Sequence, residues 1–335
     1  MKNKDLKRKK DKNRKKYFIA ILMILVTAIT LASSTYAWFT ANKTVTVEQI
    51  DVNVAASNGL QVSVDAINWK TVISNEDING AGTTYNAAVN QLPAGSIVPV
   101  STVGEIDTAT GFMKMFQGEI SSNAAGNYIL TASQTTETHG TTSGSFIAFD
   151  LFFQTNQAET VYLTSNSNVV ALNTSTGIEN SARVAFINEG NAIAGTDASV
   201  VQALKGGTTP IIWEPNYDVH TPAAVKNASD VYNITTTQTG GSVLAYNGVK
   251  ADIAAGDDVA LNSKEATYFS AVNPTITTPK AGILSTAYEK AFDLQAGITK
   301  IRIYMWVEGQ DVDCENNASG GSLSYNLQFS TLDKA

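Results

Sequence analysis

The first 37 residues contain the feature that most restricts how this chain can fold. Residues 1–16 carry ten lysines or arginines, and residues 17–32 follow as sixteen uncharged and mostly apolar residues. A basic run, an apolar core and a small-residue exit are the three parts of a secretory signal. Because the positive end of such a segment stays in the cytoplasm, we expect the rest of the chain to fold outside it.

Two fates are open to this N-terminal segment. Thr35, Tyr36, Ala37 and Trp38 surround the position at which a signal peptidase is expected to cut. If the segment is not cut, its apolar stretch is long enough to span a bilayer of ~30 Å and to hold the protein at the membrane. We therefore divide the chain into a signal peptide or N-terminal anchor (1–37) and a body (38–335).

The body differs in charge from the segment that precedes it. The chain has 23 basic and 30 acidic residues, and without residues 1–16 it keeps 13 basic and 28 acidic ones, a net charge of −15. Nucleic acid repels such a body, so no nucleic-acid partner is expected. The single cysteine, Cys314, excludes a disulfide framework. Stability must therefore come from core packing.

Alternating apolar and polar residues predict that the body is built from β-strands. Leu323, Tyr325, Leu327 and Phe329 recur at a period of two, which places them on one buried face of a strand over 322–330. Further strands are predicted over residues 45–54, 60–64, 146–153, 160–163, 182–187, 211–213 and 298–307. We expect an all-β fold, an antiparallel jelly-roll-like β-sandwich with long loops.

The remaining stretches predict little regular structure. Residues 198–204 and 285–292 have patterns that indicate short helices. Residues 74–95, 117–145 and 221–262 hold few large apolar side chains, so we expect long surface loops or added hairpins there. A change of phase near Glu48 and Gln49 predicts a bulge in the first strand. One elaborated domain is favoured, and a division near 190–225 stays open.

The segment where the signal ends carries a family resemblance. Residues 34–54 read STYAWFTANKTVTVEQIDVNV, in which Thr35, Tyr36, Ala37 and Phe39 form a Thr-aromatic-Ala-x-Phe motif before a short polar link and the first strand. This layout resembles the start of the TasA/camelysin-like exported proteins of Gram-positive bacteria. The resemblance implies export through a dedicated signal peptidase, a jelly-roll domain, and in some members assembly into matrix fibres.

In fibres of that kind, the N-terminal strand of one subunit completes the sheet of the next. Elementary physics allows the same behaviour here, because a first strand freed by cleavage can pair with an exposed sheet edge of a neighbour. Such a head-to-tail contact does not close on itself, so it propagates as a filament. The expected partners are therefore the signal peptidase and other copies of this chain.

One cluster of carboxylates is a candidate metal site. Glu308, Asp311, Asp313 and Glu315 alternate with other residues just after a predicted strand, and calcium prefers such hard oxygen ligands. The spacing does not match an EF-hand loop, and a polar loop between the last two strands is the alternative. No other cofactor is expected.

Other reactive side chains give little sign of catalysis. His139 and His220 are expected to be ordinary surface residues, and without an HExxH motif they do not form a metalloprotease ligand set. Neighbouring acids should raise the pKa of Cys314, which makes it a structural thiol. Trp213 and Trp306 could form an aromatic platform for sugars, although core packing is favoured. We therefore expect no enzyme.

The sequence as a whole predicts an exported structural protein of the cell surface or extracellular matrix, with fibre assembly by exchange of the N-terminal strand. The alternative is an adhesin-like binding module for glycan or protein that an uncleaved N-terminal segment holds at the membrane. The two hypotheses differ in whether the apolar segment is removed.

Overall fold

The structure is a computed structural model that describes residues 44–55, 59–93, 95–137, 144–172, 176–240, 246–278, 280, 289–315 and 319–332. The predicted cleavage region at Thr35, Tyr36, Ala37 and Trp38 lies outside the described residues, as does His139. The described chain is mainly β-structure, which confirms the all-β prediction. Its strands are β1 (Val45–Ala55), β2 (Gln61–Ser63), β3 (Val72–Ile73), β4 (Ser96–Ile97), β5 (Val100–Ser101), β6 (Met115–Ser122), β7 (Tyr128–Thr135), β8 (Ile147–Thr155), β9 (Glu159–Leu163), β10 (Asn168–Ala171), β11 (Ala182–Ala192), β12 (Ile211–Pro215), β13 (Tyr246–Val249), β14 (Phe269–Val272), β15 (Ile276–Thr278), β16 (Glu289–Leu294), β17 (Gly297–Val307) and β18 (Ser322–Ser330).

Two large sheets form a sandwich. The seven-stranded sheet has the order β16-β9-β18-β1-β3, with β10 added to β18 and β4 added to β1. The six-stranded sheet has the order β15-β12-β11-β17-β8-β2. Their facing side chains form one apolar core, in which the ring centroids of Phe153 and Phe329 are 5.6 Å apart and those of Phe186 and Phe292 are 5.9 Å apart. The period-two patterns of the sequence therefore locate this core correctly.

Two strand pairs differ from the predicted antiparallel arrangement. β1 pairs with β18 in parallel, from Thr46 opposite Ser322 to Ala55 opposite Ser330, and β12 pairs with β15 in parallel. Alternation identifies the buried face of a strand but carries no information on its direction, so the sheets are mixed. The predicted bulge is confirmed, because the register of β1 shifts between Val47 and Gln49.

Added segments cover the outer face of the six-stranded sheet. A sheet of β5, β6 and β7 and a β13-β14 hairpin share a small apolar core, which includes Phe116, Leu130 and Phe269. Strands β7 and β13 and most of β6 fall within stretches predicted as long loops or added hairpins, and β6 and β7 form an added hairpin there. Strands β5 and β14 lie outside those stretches and were not predicted. The cover lies on the sheet because strands β8, β11 and β17 carry large side chains on their outer face as well as on their inner face.

The described residues also form three short α-helices, α1 (Asn75–Gly80), α2 (Ala198–Gln202) and α3 (Pro222–Tyr232). The predicted helix over 198–204 is confirmed by α2. The predicted helix over 285–292 is wrong where the structure describes it, because 289–292 belong to strand β16. Helix α3 lies in a stretch predicted as loop, where Thr221 caps its first turn by accepting from the main-chain N–H of Ala224.

None of the helices in the described part of the chain combines the length and apolar character needed to cross a bilayer.

Candidate functional site

The sequence-predicted carboxylates form the centre of a buried polar cluster. Glu308, Asp311, Asp313 and Glu315 are between 0% and 8% exposed, and they lie in a polar loop between the last two strands, β17 and β18, as the alternative interpretation expected. The loop turns inward because main-chain bonds tie it to the cover and to the sheet. The N–H of Glu308 donates to the carbonyl of Ser181 at 2.8 Å. We name residues 308–315 the acidic loop.

Arg183 of β11 holds one side of this cluster together. Its side chain is fully buried, and Nη2 lies 2.6 Å from Glu214 Oε1 and 2.5 Å from Asp311 Oδ2. Nη1 donates to the carbonyls of Asn180 and Ala182 at 3.2 and 2.9 Å. A buried charge without such partners costs several kcal/mol, so an arginine is tolerated here only because two other segments bring carboxylates to it.

His220 and Thr221 connect the acidic loop to the start of α3. His220 Nδ1 is 2.6 Å from Asp313 Oδ2, and the N–H of Thr221 donates to Asp313 Oδ1 at 3.1 Å. The Thr221 hydroxyl donates to Glu315 Oε1 at 2.8 Å. His220 is 7% exposed, so its predicted surface position is wrong. The loop thus fixes the helix that follows β12.

Burial raises the pKa of carboxyl groups in this cluster, in which carboxyl groups outnumber cations. Burial raises the pKa of Glu308 to about 7. Burial also raises the pKa of Glu214 to about 7, although the charge of Arg183 opposes the shift. Burial by itself lowers the pKa of His220, but the hydrogen bond and charge of Asp313 outweigh it and the pKa rises. Protons therefore neutralise part of the cluster near neutral pH.

The calcium hypothesis gains no support from this arrangement. Within the described ranges, no group of three or more His, Cys, Asp or Glu side chains is arranged to hold a metal ion. The carboxylates instead accept hydrogen bonds from protein donors. Glu308, for example, accepts from Trp306 Nε1 at 3.1 Å and from the N–H of Gln310 at 3.0 Å.

A second charged cluster lies beneath the cover at the other end of β17. Asp150 Oδ1 accepts from Arg302 Nη1 at 3.0 Å, and its Oδ2 accepts from Tyr85 Oη at 2.9 Å and lies 3.3 Å from Lys300 Nζ. Glu137 forms a further ion pair with Arg302. Burial opposes ionisation of Asp150, but Arg302 and Lys300 hold its pKa below the ordinary value. This cluster fastens the cover to strands β8 and β17.

The other sequence-predicted chemical residues are core residues. Trp213 and Trp306 are fully buried, so the core-packing interpretation is confirmed and they form no exposed platform. Cys314 is also fully buried, and burial together with nearby acids raises the pKa of its thiol well above the ordinary value. The structural interpretation of this thiol is confirmed.

A polar groove with a volume of about 740 Å³ lies next to the buried cluster around Arg183, because Pro215 and Asn216 of its lining directly follow Glu214. Its floor is the outer face of β1 and β18, and its walls are the segment before and along β10 and the ends of β12 and β15. It is lined by Asn53, Ser165, Asn166, Ser167, Asn168, Val169, Val170, Pro215, Asn216, Thr278, Lys280, Asn326 and Gln328. We name it the amide groove.

No sequence motif marks this groove, so it was not predicted. Its floor consists of polar residues such as Asn326 and Gln328. In the alternating pattern of the strand, these are simply the polar residues between buried apolar ones. Asn216 carries the one local signal, since it follows strand β12 and has a positive φ of 60°. Asparagine adopts this conformation more readily than most residues.

Comparison of the chain with protein-family models, with curated proteins and with solved structures gave no match.

Proposed function

We propose that this chain is an exported structural protein of the cell surface or extracellular matrix, and that its subunits form fibres by exchanging strand β1. The observation that carries the proposal is the position of β1. It is the first strand after the predicted export segment, and it contributes Val45, Ile50, Val52 and Val54 to the main core. A terminal strand with a complete set of core side chains is what strand exchange requires.

The pairing of β1 also favours exchange. One side of β1 pairs with β18 along nearly its whole length, whereas the other side meets β3 and β4 over two residues each. The ladder that holds β1 is therefore made almost entirely with β18. A copy of β1 from a neighbouring subunit could occupy the same position with the same register and the same buried side chains.

We also propose that the sandwich is of the jelly-roll type. Its strand order supports this assignment, because successive strands of the two large sheets lie in opposite sheets at every step except β3 to β4, β9 to β10, β11 to β12 and β12 to β15. Such alternation is what two wrapped Greek keys produce. The parallel pairing of β1 with β18, like that of β12 with β15, departs from the antiparallel pattern.

A structural role also agrees with how the reactive side chains are used. His220 and Asp313, the pair that most resembles catalytic machinery, have side chains that are 5% and 1% exposed. Both are engaged in positioning α3. We therefore propose no enzymatic activity, and we propose that the partners of the chain are a signal peptidase and other copies of itself.

Cysteines placed across the β1–β18 ladder test the exchange. Asn53 and Gln328 are ladder partners, so the double variant Asn53→Cys/Gln328→Cys can form a disulfide between these strands. The variant should be expressed with its own N-terminal segment in a Gram-positive host, recovered from the cell surface, oxidised and separated without reductant. Exchange predicts a ladder of covalent multimers, because each β1 is then linked to the β18 of a neighbour.

The single variant Asn53→Cys is the matched control, since it can form dimers at most. The natural Cys314 is fully buried and should not contribute. A double variant that yields only an internally linked monomer would overturn the exchange. If the intact mass also shows that residues 1–37 are retained, the membrane-anchored binding module becomes the better description.

A further inference from the structure

The amide groove has the hydrogen-bonding surface of a ligand site. Asn53, Asn326 and Gln328 project from neighbouring strands, and Asn166 and Asn168 project from the wall. Each primary amide offers two donors and one acceptor that accepts two bonds. A row of such groups can match the adjacent hydroxyls of a sugar, each of which both donates and accepts.

Several of these amides are held in fixed orientations. Asn216 Nδ2 donates to the carbonyls of Val169 and Glu179 at 2.9 and 3.1 Å, which leaves Oδ1 as its remaining acceptor. Asn326 Nδ2 donates to the carbonyl of Asn166 at 3.0 Å. The side chain of Asn166 is exposed and makes no hydrogen bond to the described residues. Asn168 Nδ2 donates to the carbonyl of Asn166 at 3.1 Å, and Gln328 Oε1 accepts from the Thr164 hydroxyl at 2.6 Å. Amide groups that are already positioned in this way reduce the entropy lost on binding.

The charge around the groove favours an uncharged ligand. Among the described lining residues, Lys280 is the one that is charged, and its Nζ lies 2.5 Å from the buried Glu179 Oε1, which neutralises it. The body as a whole has a net charge of −15. An anionic polymer would therefore meet repulsion and find no spare cation among these residues. A cationic polymer would find no carboxylate among them.

An extended peptide fits the groove less well than a sugar chain does. The floor strand β18 is already paired with β1, β9 and β10, so it offers no free strand edge for an added β-strand. Apolar lining is limited to Val169, Val170 and Pro215, and Val169 is fully buried. Val170 is 40% exposed and presents one apolar patch, which suits the C–H face of a single sugar ring.

We infer that the amide groove binds a neutral polysaccharide through the side chains of Asn53, Asn166, Asn168, Asn326 and Gln328. This inference does not depend on the proposed fibre assembly, because an exchanged β1 in the same register would place Asn53 of the neighbouring copy opposite the same Gln328. A structural surface protein with such a groove would be attached to the sugar polymers around it.

Native gel electrophoresis through embedded polysaccharides tests the inference. The body, residues 38–335, is run through gels that contain dextran, mannan or mixed-linkage β-glucan, and through a gel with the anionic polymer polygalacturonate. We expect retardation by at least one neutral polymer and none by polygalacturonate. Asn166→Ala should weaken the apparent association about fivefold, and Asn166→Ala/Asn326→Ala should weaken it more than tenfold.

Asn156→Ala is the matched control, because Asn156 is an exposed amide outside the groove. Melting temperatures of all variants establish that the fold is kept, and Asn166→Ala alone suffices if the double variant is unstable. The inference is overturned if no neutral polymer retards the protein, if Asn166→Ala binds as tightly as the parent, or if only polygalacturonate binds. Binding of a pool of uncharged decapeptides without binding of sugar would also overturn it.

Discussion

On the outer face of the six-stranded sheet, Arg183, Asp150 and Arg302 lie buried under added segments, whereas on the outer face of the seven-stranded sheet Asn326 and Gln328 remain partly exposed. The covered face contains charged side chains, and each needs partners that distant segments supply. The open face contains amides that water can satisfy. Charge pairs therefore specify the position of the cover as much as apolar contacts do.

The largest expected effect comes from removing a charge on the covered face. Arg183→Met leaves Glu214 and Asp311 buried without their guanidinium, so we expect the free energy of unfolding to fall by about 3–5 kcal/mol. On the open sheet, Lys290→Met removes an ion pair with Asp293 whose two side chains are more than half exposed, and the change should stay within about 0.5 kcal/mol. Urea unfolding of both variants measures the difference, and equal losses would remove the distinction between the faces.

The covered face should also control how stability depends on pH. The pKa values of Glu214 and Glu308 are raised from 4.5 to about 7, so the folded protein keeps protons that the unfolded chain releases between these values. The free energy of unfolding should therefore fall as the pH rises from about 5 to 7, by about 3 kcal/mol for one such group. His220 acts in the same direction, because its pKa is raised above 6.5 and its contribution is lost as the pH rises through the folded value.

Asp150 affects how the free energy of unfolding changes at low pH. Its lowered pKa contributes stability above the ordinary value of 3.8, and that contribution is lost as the pH falls. Maximum stability is therefore expected at mildly acidic pH. Unfolding curves in urea from pH 4 to pH 8 measure the profile, and Glu214→Gln should flatten it. A stability that rises between pH 5 and pH 7 would show that the cluster is accessible to water.

The smallest of the three effects concerns the junction between the acidic loop and helix α3. Thr221→Ala removes the cap of α3 and the hydrogen bond to Glu315, which should cost about 1–2 kcal/mol. Asp197→Ala at the start of α2 is the control, because Asp197 makes no side-chain capping bond and should change stability by less than about 0.5 kcal/mol. Thermal unfolding distinguishes the two, and equal losses would mean that Thr221 does not fasten α3 to the acidic loop.

The strands of the sandwich could be predicted because alternation records burial directly. β18 coincides with its predicted range, and the bulge in β1 appeared as a change of phase near Gln49. The parallel direction of β1 could not be predicted, because it depends on which strand lies beside it in space. Helix α3 was missed because it holds few large apolar residues and docks mainly through its alanines and Asn227.

The candidate sites, too, could be predicted only in part from the sequence. The acidic loop was found because its carboxylates are close together in the sequence. Their partners, Arg183 and His220, lie about 128 and 93 residues away in the chain, and no local pattern connects them. The amide groove depends on residues from five separate segments, each unremarkable by itself. Sequence reasoning recovers what is local and periodic, whereas both sites are products of the strand order.

The parallel pair of β1 and β18 has a consequence for the timing of folding. A polypeptide is made from its N-terminus, so β1 is complete long before the strand that must lie beside it. During that interval the edge of β1 that pairs with β18 has no partner in its own chain, and pairing it closes a loop over most of the described chain. Folding of this sandwich therefore ends, rather than begins, with its first strand, and any nearby chain that has already finished competes for it.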